Sequence, residues 1–170
     1  MDFKSNLSSK VSNKDATIGI IGMGYVGIPL FLRFSSENFK VIGFDIDEEK
    51  VQIINKGESY FKHISSSDIK DAIDKKGEAT SNFSKISEVD IIILCLPTPL
   101  NDDNSPDLSY VISSIDSLKG FLKKGQLLCL ESTTYPGTTE EEILPILRSL
   151  DFNVGSDFFL AYSPEREDPG

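Results

Sequence analysis

Cysteine and basic residues are both scarce in this sequence. Its 170 residues include only two cysteines, Cys95 and Cys129, and both lie inside apolar runs. This pattern indicates neither a disulfide framework nor a metal-binding cluster, and it favours a reducing, cytoplasmic location. Seventeen lysines and arginines stand against 27 acidic residues, for a net charge of −10. Such a protein lacks the basic face that sequence-independent binding to nucleic acid or anionic lipid requires.

Long apolar segments are absent as well. No apolar run approaches the roughly 20 residues of a membrane-spanning helix, and Met1–Lys14 has no apolar core of a signal peptide. We therefore expect no membrane association. The composition, with 39% hydrophobic and 26% charged residues, is typical of a folded globular domain with a core of its own.

Short β-branched runs alternate with segments of helical periodicity from residue 15 onward. Predicted strands cover 16–22, 40–47, 78–83, 89–97, 126–133 and 157–165, and predicted helices cover 24–36, 47–56, 65–76, 108–124 and 138–150. This order predicts an α/β fold, a doubly wound parallel sheet with helices on both faces. We expect residues 1–14 to form a flexible N-terminal arm and residues 15–170 to form one domain. Ligands of such sheets bind beyond the carboxyl ends of the strands.

Three glycines follow the first predicted strand in the pattern G-x-G-x-x-G, at Gly22, Gly24 and Gly27. The first permits a tight turn, the second lets backbone N–H groups approach a diphosphate, and the third lets helix and strand pack closely. The next strand leads to Asp45, whose carboxylate is placed to accept hydrogen bonds from an adenosine ribose. Because Asp45 and Asp47 would repel a ribose 2′-phosphate, the sequence favours NAD over NADP in a Rossmann-type domain.

Several segments resemble the nucleotide-sugar 6-dehydrogenases, the UDP-glucose/GDP-mannose dehydrogenase family. They are GMGYVGIPL (22–30), GFDIDEEKV (43–51), GESYFKHI (57–64), LPTPLN (96–101), PDLSYV (106–111), ESTTYPGTTEE (131–141) and SPEREDPG (163–170). The first two would suit many NAD enzymes, whereas the last two are far more specific. The final segment resembles the branch that acts on UDP-N-acetylhexosamines, since the UDP-glucose branch tends to have Phe-Leu after Pro-Glu.

The resemblance implies an enzyme that oxidises the C6 alcohol of a UDP-N-acetylhexosamine to a carboxylate in two hydride transfers to NAD, by way of a cysteine thioester. Thr133 and Glu165 would be its catalytic residues here, and Glu165 and Arg166 would contact the UDP-sugar. Tyr25 and Val26 would offer backbone N–H groups to the diphosphate. The full set of implied cofactor contacts is Gly22, Gly24, Tyr25, Val26, Gly27, Asp45, Lys50, Thr98 and Thr133.

Simpler interpretations of these side chains stay open on the residues alone. Lys50 is either near the adenosine phosphate or a solvated lysine on a helix face, and Thr98 could be a rigid loop residue between two prolines. Thr133 could be an ordinary hydroxyl at a strand end, and Glu165–Arg166 a surface ion pair of little energetic weight. The single histidine, His63, is favoured as a packed or solvated ring over a catalytic base.

The family's nucleophilic cysteine lies in a second domain in a Gly-x-Cys setting, which has no counterpart in this sequence. Cys95 and Cys129 fall in predicted strand interiors, where apolar surroundings suppress thiolate formation. We therefore expect an NAD-binding half without the family's central helix and C-terminal UDP-sugar-binding domain, able to bind NAD but not to complete the reaction. The family forms homodimers, which we do not expect of this chain.

Two other functions remain open at this point. One is a different NAD-dependent dehydrogenase of the hydroxyacid type, and the stretches Tyr-Pro-Gly-Thr-Thr-Glu (135–140) and Ser-Pro-Glu-Arg (163–166) speak against it. The other is a non-catalytic NAD-binding module. Intact Thr133 and Glu165 speak against that interpretation, because a purely regulatory site needs neither.

Overall fold

A single parallel sheet of six strands organises the chain, which a computed structural model describes over residues 2–164. The strands are β1 (Thr17–Ile21), β2 (Lys40–Phe44), β3 (Glu78–Thr80), β4 (Ile91–Leu94), β5 (Leu127–Leu130) and β6 (Phe159–Tyr162). The helices are α1 (Phe3–Ser12), α2 (Gly27–Ser36), α3 (Glu48–Asn55), α4 (Ser66–Asp74), α5 (Ser109–Leu118) and α6 (Leu144–Ser149). The strand order is β3-β2-β1-β4-β5-β6, so the predicted doubly wound fold is confirmed.

Helices cover both faces of the sheet, and alternate residues of each central strand enter opposite layers. Ile18 and Ile20 of β1 pack in the layer that includes α2, α3 and α4. Ile92 and Leu94 of β4 pack in the layer that includes α5 and α6. Since a parallel strand is buried on both sides, β4 reads in the sequence as an unbroken apolar run.

The sheet has a switch point between β1 and β4. The chain first builds outward from β1 through β2 to β3, and then returns to pair β4 with the other edge of β1. The connections that leave the carboxyl ends of β1 and β4 therefore diverge, which opens a crevice between them. The residues predicted to bind a cofactor follow these two strands and their neighbours β2 and β5.

The N-terminal segment differs from the expected arm, because Phe3–Ser12 forms the helix α1. Asp2 caps this helix by accepting the N–H of Ser5 at 3.0 Å. Phe3, Leu7 and Lys10 recur at helical spacing and are half-buried on one side. Lys10 Nζ lies 2.7 Å from an oxygen of Asp90, which precedes β4. These contacts tie the helix to the domain, and composition alone did not reveal them.

Two predicted helices also differ from the structure. α5 ends at Leu118 instead of Lys124, because Gly120 follows the C-cap residue Lys119 and glycine is a poor helix former. The helix predicted over 138–150 begins as a wide π-helical turn at Thr139–Ile143 and becomes α-helical only in α6. Pro145 lies in the first turn of α6. Because proline has no backbone N–H, it cannot donate a hydrogen bond to the preceding turn. No helix within the described part of the chain is long and apolar enough to cross a bilayer.

Asp90 provides a test of how α1 and β1 are held. Its carboxylate accepts the Thr17 N–H at 2.9 Å as well as the Lys10 ammonium. We expect Asp90→Ala to lower the free energy of unfolding by about 1–3 kcal/mol, because a backbone donor loses its partner. Lys10→Ala should cost less than about 1 kcal/mol, since the lysine of this ion pair is 39% exposed and Asp90 keeps its bond to the Thr17 N–H. Urea denaturation measures both, and equal losses would show that Asp90 acts only through the ion pair.

Candidate functional site

The turn after β1 has the geometry that the glycine pattern predicts. Gly22 has φ +93°, and a Cβ atom there would overlap the carbonyl oxygen of Cys95. A Cβ atom on Gly27 would overlap the carbonyl oxygen of Gly22. At Gly24 a Cβ atom would meet no atom of residues 2–164 within 4 Å, so on the described part of the chain this glycine borders open space. The first and third glycines thus close the turn, and the second leaves room for a ligand.

The N-terminus of α2 lies at this open side with its donors uncommitted. No side chain among the described residues caps the helix. The backbone N–H groups of Gly24, Tyr25 and Val26 make no hydrogen bond to any residue between 2 and 164. Donors at a helix N-terminus favour an anionic ligand, both through hydrogen bonds and through the helix dipole. The arrangement suits the diphosphate contacts predicted for Tyr25 and Val26.

Asp45 lies directly across from the turn, at the carboxyl end of β2. Its side chain accepts the Met23 N–H at 3.0 Å and the Asp47 N–H at 3.0 Å, and the residue is only 9% exposed. Each carboxylate oxygen retains acceptor capacity after these bonds. Asp45 therefore faces the glycine turn, as the ribose-binding role requires, and it also stabilises that turn.

Lys50 and Asp47 are the charged neighbours of Asp45 at the carboxyl end of β2. Lys50 Nζ lies 3.9 Å from a carboxylate oxygen of Asp45, so the lysine turns toward the crevice. Asp47 caps α3 by accepting the N–H groups of Glu49 and Lys50 at 3.0 and 3.3 Å. Negative charge therefore remains beside the ribose position, as the prediction of NAD over NADP requires. The contact of Lys50 with an adenosine phosphate remains a prediction.

The segment 58–64 packs over the same turn, which sequence reasoning missed. The Tyr60 hydroxyl donates a hydrogen bond to the carbonyl oxygen of Met23. The Tyr25 ring packs 4.7 Å from the Phe61 ring and lies parallel to His63, at 6.2 Å between centroids. His63 is exposed and contributes a stacked ring, and its non-catalytic interpretation remains a prediction. The only sequence signal was the run of aromatic residues within a segment that resembles the family.

Side chains also join the ends of β4 and β5. The buried Ser132 hydroxyl accepts the Leu96 N–H at 3.0 Å. The Thr98 hydroxyl donates to the carbonyl oxygen of Thr133 at 2.7 Å. Thr98 therefore fixes the backbone of Thr133, which is exposed at the crevice. The predicted contacts of these two threonines with the nicotinamide end remain predictions.

The C-terminal part of the predicted site can be followed only as far as Pro164. β6 ends at Tyr162, and the Ser163 N–H donates to the carbonyl oxygen of Leu130 at 2.9 Å. The chain thus leaves the sheet at the same edge as the other loops of the site. Glu165 and Arg166 lie outside the described residues, and their roles remain predictions.

Cys129 lies inside a strand as predicted, whereas Cys95 lies just outside one, and neither cysteine is fully buried. Cys95 follows β4 by one residue, Cys129 lies in β5, and both are half-buried. Burial, together with the nearby charge of Glu131, raises the pKa of the Cys129 thiol to about 11. The Cys129 thiolate is therefore scarce near neutral pH, as the argument against a nucleophile requires. Residues 2–164 contain no cluster of three or more side chains suited to holding a metal ion.

A dinucleotide fits the residues at the switch point. The open space at Gly24 and the N–H groups at the start of α2 suit its diphosphate. The carboxylate of Asp45, on the next strand, suits the adjoining ribose. The fold and the site together define a Rossmann-type dinucleotide-binding domain.

The chain belongs to the UDP-glucose/GDP-mannose dehydrogenase family, whose NAD binding domain model matches residues 16–170. It is similar to the UDP-N-acetyl-D-glucosamine 6-dehydrogenase of Pseudomonas aeruginosa, at 35% identity over 92% of this chain and 37% of the relative. It is also similar to the UDP-N-acetyl-D-mannosamine dehydrogenase of Escherichia coli K12, at 40% identity over 91% of this chain and 38% of the relative. The cofactor of the domain is therefore NAD.

Solved structures agree with this assignment. The UDP-N-acetyl-mannosamine dehydrogenase Cap5O from Staphylococcus aureus superposes with a TM-score of 0.83 at 30% identity, over 91% of this chain and 38% of that protein. The NDP-N-acetyl-D-galactosaminuronic acid dehydrogenase from Methanosarcina mazei Go1 gives 0.81 at 36% identity, over 95% and 37%. The chain thus spans little more than a third of the length of these relatives.

The glycine turn generates a paired prediction. Gly24→Ala should leave the free energy of unfolding within about 1 kcal/mol of wild type, because its methyl group meets no protein atom. The same methyl should weaken NAD binding by about tenfold or more, since it stands where the diphosphate approaches. Gly27→Ala should lose both stability and binding. Calorimetric titration and thermal unfolding of both variants measure this, and unimpaired NAD binding by Gly24→Ala would contradict the proposed position of the diphosphate.

Proposed function

We propose that this domain is the NAD-binding part of a UDP-N-acetylhexosamine 6-dehydrogenase, which oxidises the sugar C6 alcohol to a carboxylate. The observation that carries the proposal is the family match over 16–170 together with a crevice that presents amide donors opposite Asp45. Three of the relatives reported above, from Pseudomonas aeruginosa, Escherichia coli and Staphylococcus aureus, are named for UDP-N-acetyl sugars. The segment SPEREDPG (163–170) resembles that branch. We place the reaction in the cytoplasm, in the supply of uronate building blocks for polysaccharide.

The residues of this chain have distinct tasks in the proposed reaction. NAD, when bound, accepts hydride from the sugar carbon in each of two oxidation steps. The N–H groups of Tyr25 and Val26 bind the diphosphate, and Asp45 orients the adenosine ribose. Because the Thr98 hydroxyl fixes the backbone of Thr133, the Thr133 side chain is held beside the nicotinamide, where it orients water at the reacting carbon.

The remaining roles concern the substrate. We assign Glu165 to proton transfer or thioester hydrolysis, and Arg166 to the UDP-sugar, on the basis of the Ser-Pro-Glu-Arg motif alone. The nucleophilic cysteine that the family requires is assigned to neither Cys95 nor Cys129, because the Cys129 thiol has a raised pKa and both side chains are half-buried.

Cofactor choice can be tested at Asp45. Asp45→Asn keeps the shape of the side chain and removes its charge, so we expect NAD to bind about tenfold more weakly. The discrimination between NAD and NADP should shrink as well, because less negative charge faces the 2′-phosphate. Asp116→Asn on the exposed side of α5 is the matched control for the loss of one charge. Calorimetric titration of each variant with both cofactors gives the ratio, and full discrimination retained by Asp45→Asn would contradict the charge argument.

The substrate class can be tested with a chimaera. In it, residues 16–170 replace the corresponding part of the Pseudomonas aeruginosa relative. We expect NADH to form from UDP-N-acetylglucosamine or UDP-N-acetylmannosamine, with two NADH per sugar, as measured by absorbance. NAD titration of the chimaera first establishes that it is folded. A chimaera that binds NAD but produces NADH only from UDP-glucose would overturn the substrate class, and one that produces none would overturn the function.

A further inference from the structure

Met23, the residue between the first two glycines, is held from three directions. Its N–H donates to the Asp45 carboxylate, and its carbonyl oxygen accepts from the Tyr60 hydroxyl. Its side chain is fully buried and packs over Gly43 of β2. The bond to Asp45 is part of the ribose site described above, whereas the bond to Tyr60 comes from a segment to which no role in cofactor binding has been assigned.

We propose that Tyr60 is a positioning residue for the dinucleotide, which fixes the orientation of the peptide between Met23 and Gly24. The inference rests on NAD binding at this turn. The Met23 carbonyl and the Gly24 N–H belong to one planar trans peptide, so they point in opposite directions. When Tyr60 holds the carbonyl on its own side, the Gly24 N–H points away from Tyr60 and toward the open side of the turn.

The orientation of this peptide needs a restraint because the residue that follows Met23 is a glycine. Without a side chain, Gly24 has access to backbone conformations closed to other residues, and the space around its Cα is open. The peptide between Met23 and Gly24 can therefore rotate at little steric cost. In the rotated state a carbonyl oxygen would replace the Gly24 N–H at the diphosphate and would repel it. A hydrogen bond to the carbonyl counters this rotation before the ligand binds. The loss of conformational entropy on binding is therefore smaller.

Tyr60 is itself fixed and stays a donor. Its ring packs 4.8 Å from Phe61, and the Lys50 ammonium lies 5.9 Å above it. Ser59 braces the segment, because its hydroxyl accepts the Phe61 N–H at 3.1 Å. Burial, together with the charges of Asp45 and Asp47, raises the pKa of the Tyr60 hydroxyl above its ordinary value. The proton that bonds to Met23 is therefore retained at every pH at which the protein would work.

The segment also holds the residue on the other side of Gly24. Phe61 packs against the Tyr25 ring at 4.7 Å, and His63 stacks parallel to that ring. Tyr60 and Phe61 thus restrain the residues on both sides of Gly24, so this segment limits the conformational freedom that the glycine gives the turn. This placement explains why two adjacent aromatic residues stand over a glycine turn.

The test removes one oxygen atom. Tyr60→Phe keeps the ring and its contacts but loses the bond to Met23. We expect Kd for NAD and for ADP-ribose to rise about five- to tenfold, while adenosine, which has no phosphate, binds within twofold of wild type. Calorimetry measures the first two ligands, and chemical-shift titration measures adenosine. Tyr110→Phe on α5, which removes a hydroxyl from an exposed ring, is the matched control and should leave all three unchanged.

A second measurement reports on the peptide itself. In the ligand-free protein, the amide signal of Gly24 should shift or broaden in Tyr60→Phe and stay unchanged in Tyr110→Phe. The proposal is overturned if Tyr60→Phe binds NAD within twofold of wild type, if adenosine weakens by the same factor as NAD, or if the Gly24 signal does not change. Failure of the wild-type protein to bind NAD would instead remove the cofactor assignment, so the two failures are distinguishable.

Discussion

A hydrogen bond from the Met23 N–H to the carboxylate of Asp45 joins the turn after β1 to the end of β2. The bond is nearly buried and charge-assisted, so it is among the stronger polar contacts of the domain. It determines where α2 begins relative to the sheet, and hence where its N-terminal donors point. The same carboxylate is the proposed ribose acceptor, so the shape of the proposed diphosphate site and the position of the proposed ribose site depend on one side chain.

The opposite wall of the crevice depends on the same turn. Gly22 approaches the backbone of Cys95 so closely that no side chain fits between them, which joins the turn to the end of β4. From there Ser132 and Thr98 link the β4 loop to Thr133 at the end of β5. Both walls are therefore positioned by close packing and by hydrogen bonds from side chains to the backbone, which exist before any ligand binds. Such preorganisation reduces the conformational entropy that a bound dinucleotide would otherwise cost.

The parts of the fold that followed from the sequence were those with strong local signals. The apolar run of β4 and the glycines at 22, 24 and 27 are local signals, and the structure agrees with both. α1 was missed because the contacts that tie it to the domain, such as that of Lys10 with Asp90, span up to 80 residues of chain. The early end of α5 was missed because the apolar periodicity of the sequence continues past Gly120, whereas the helix itself ends before it. Where the local sequence signal is weak, the bounds of a helix are therefore decided in the folded chain.

Sequence alone determined the kind of cofactor and the two features expected to bind it. These features are a glycine pattern between a strand and a helix, and an acidic residue after the next strand. Both can be read from short stretches of neighbouring residues. The tertiary structure decided which groups hold those residues in place. Tyr60 comes to the carbonyl of Met23 across 37 residues of chain, and Thr98 to the backbone of Thr133 across 35. Such pairings arise when helices pack on a sheet and bring loops together at its carboxyl edge, and no local periodicity encodes them.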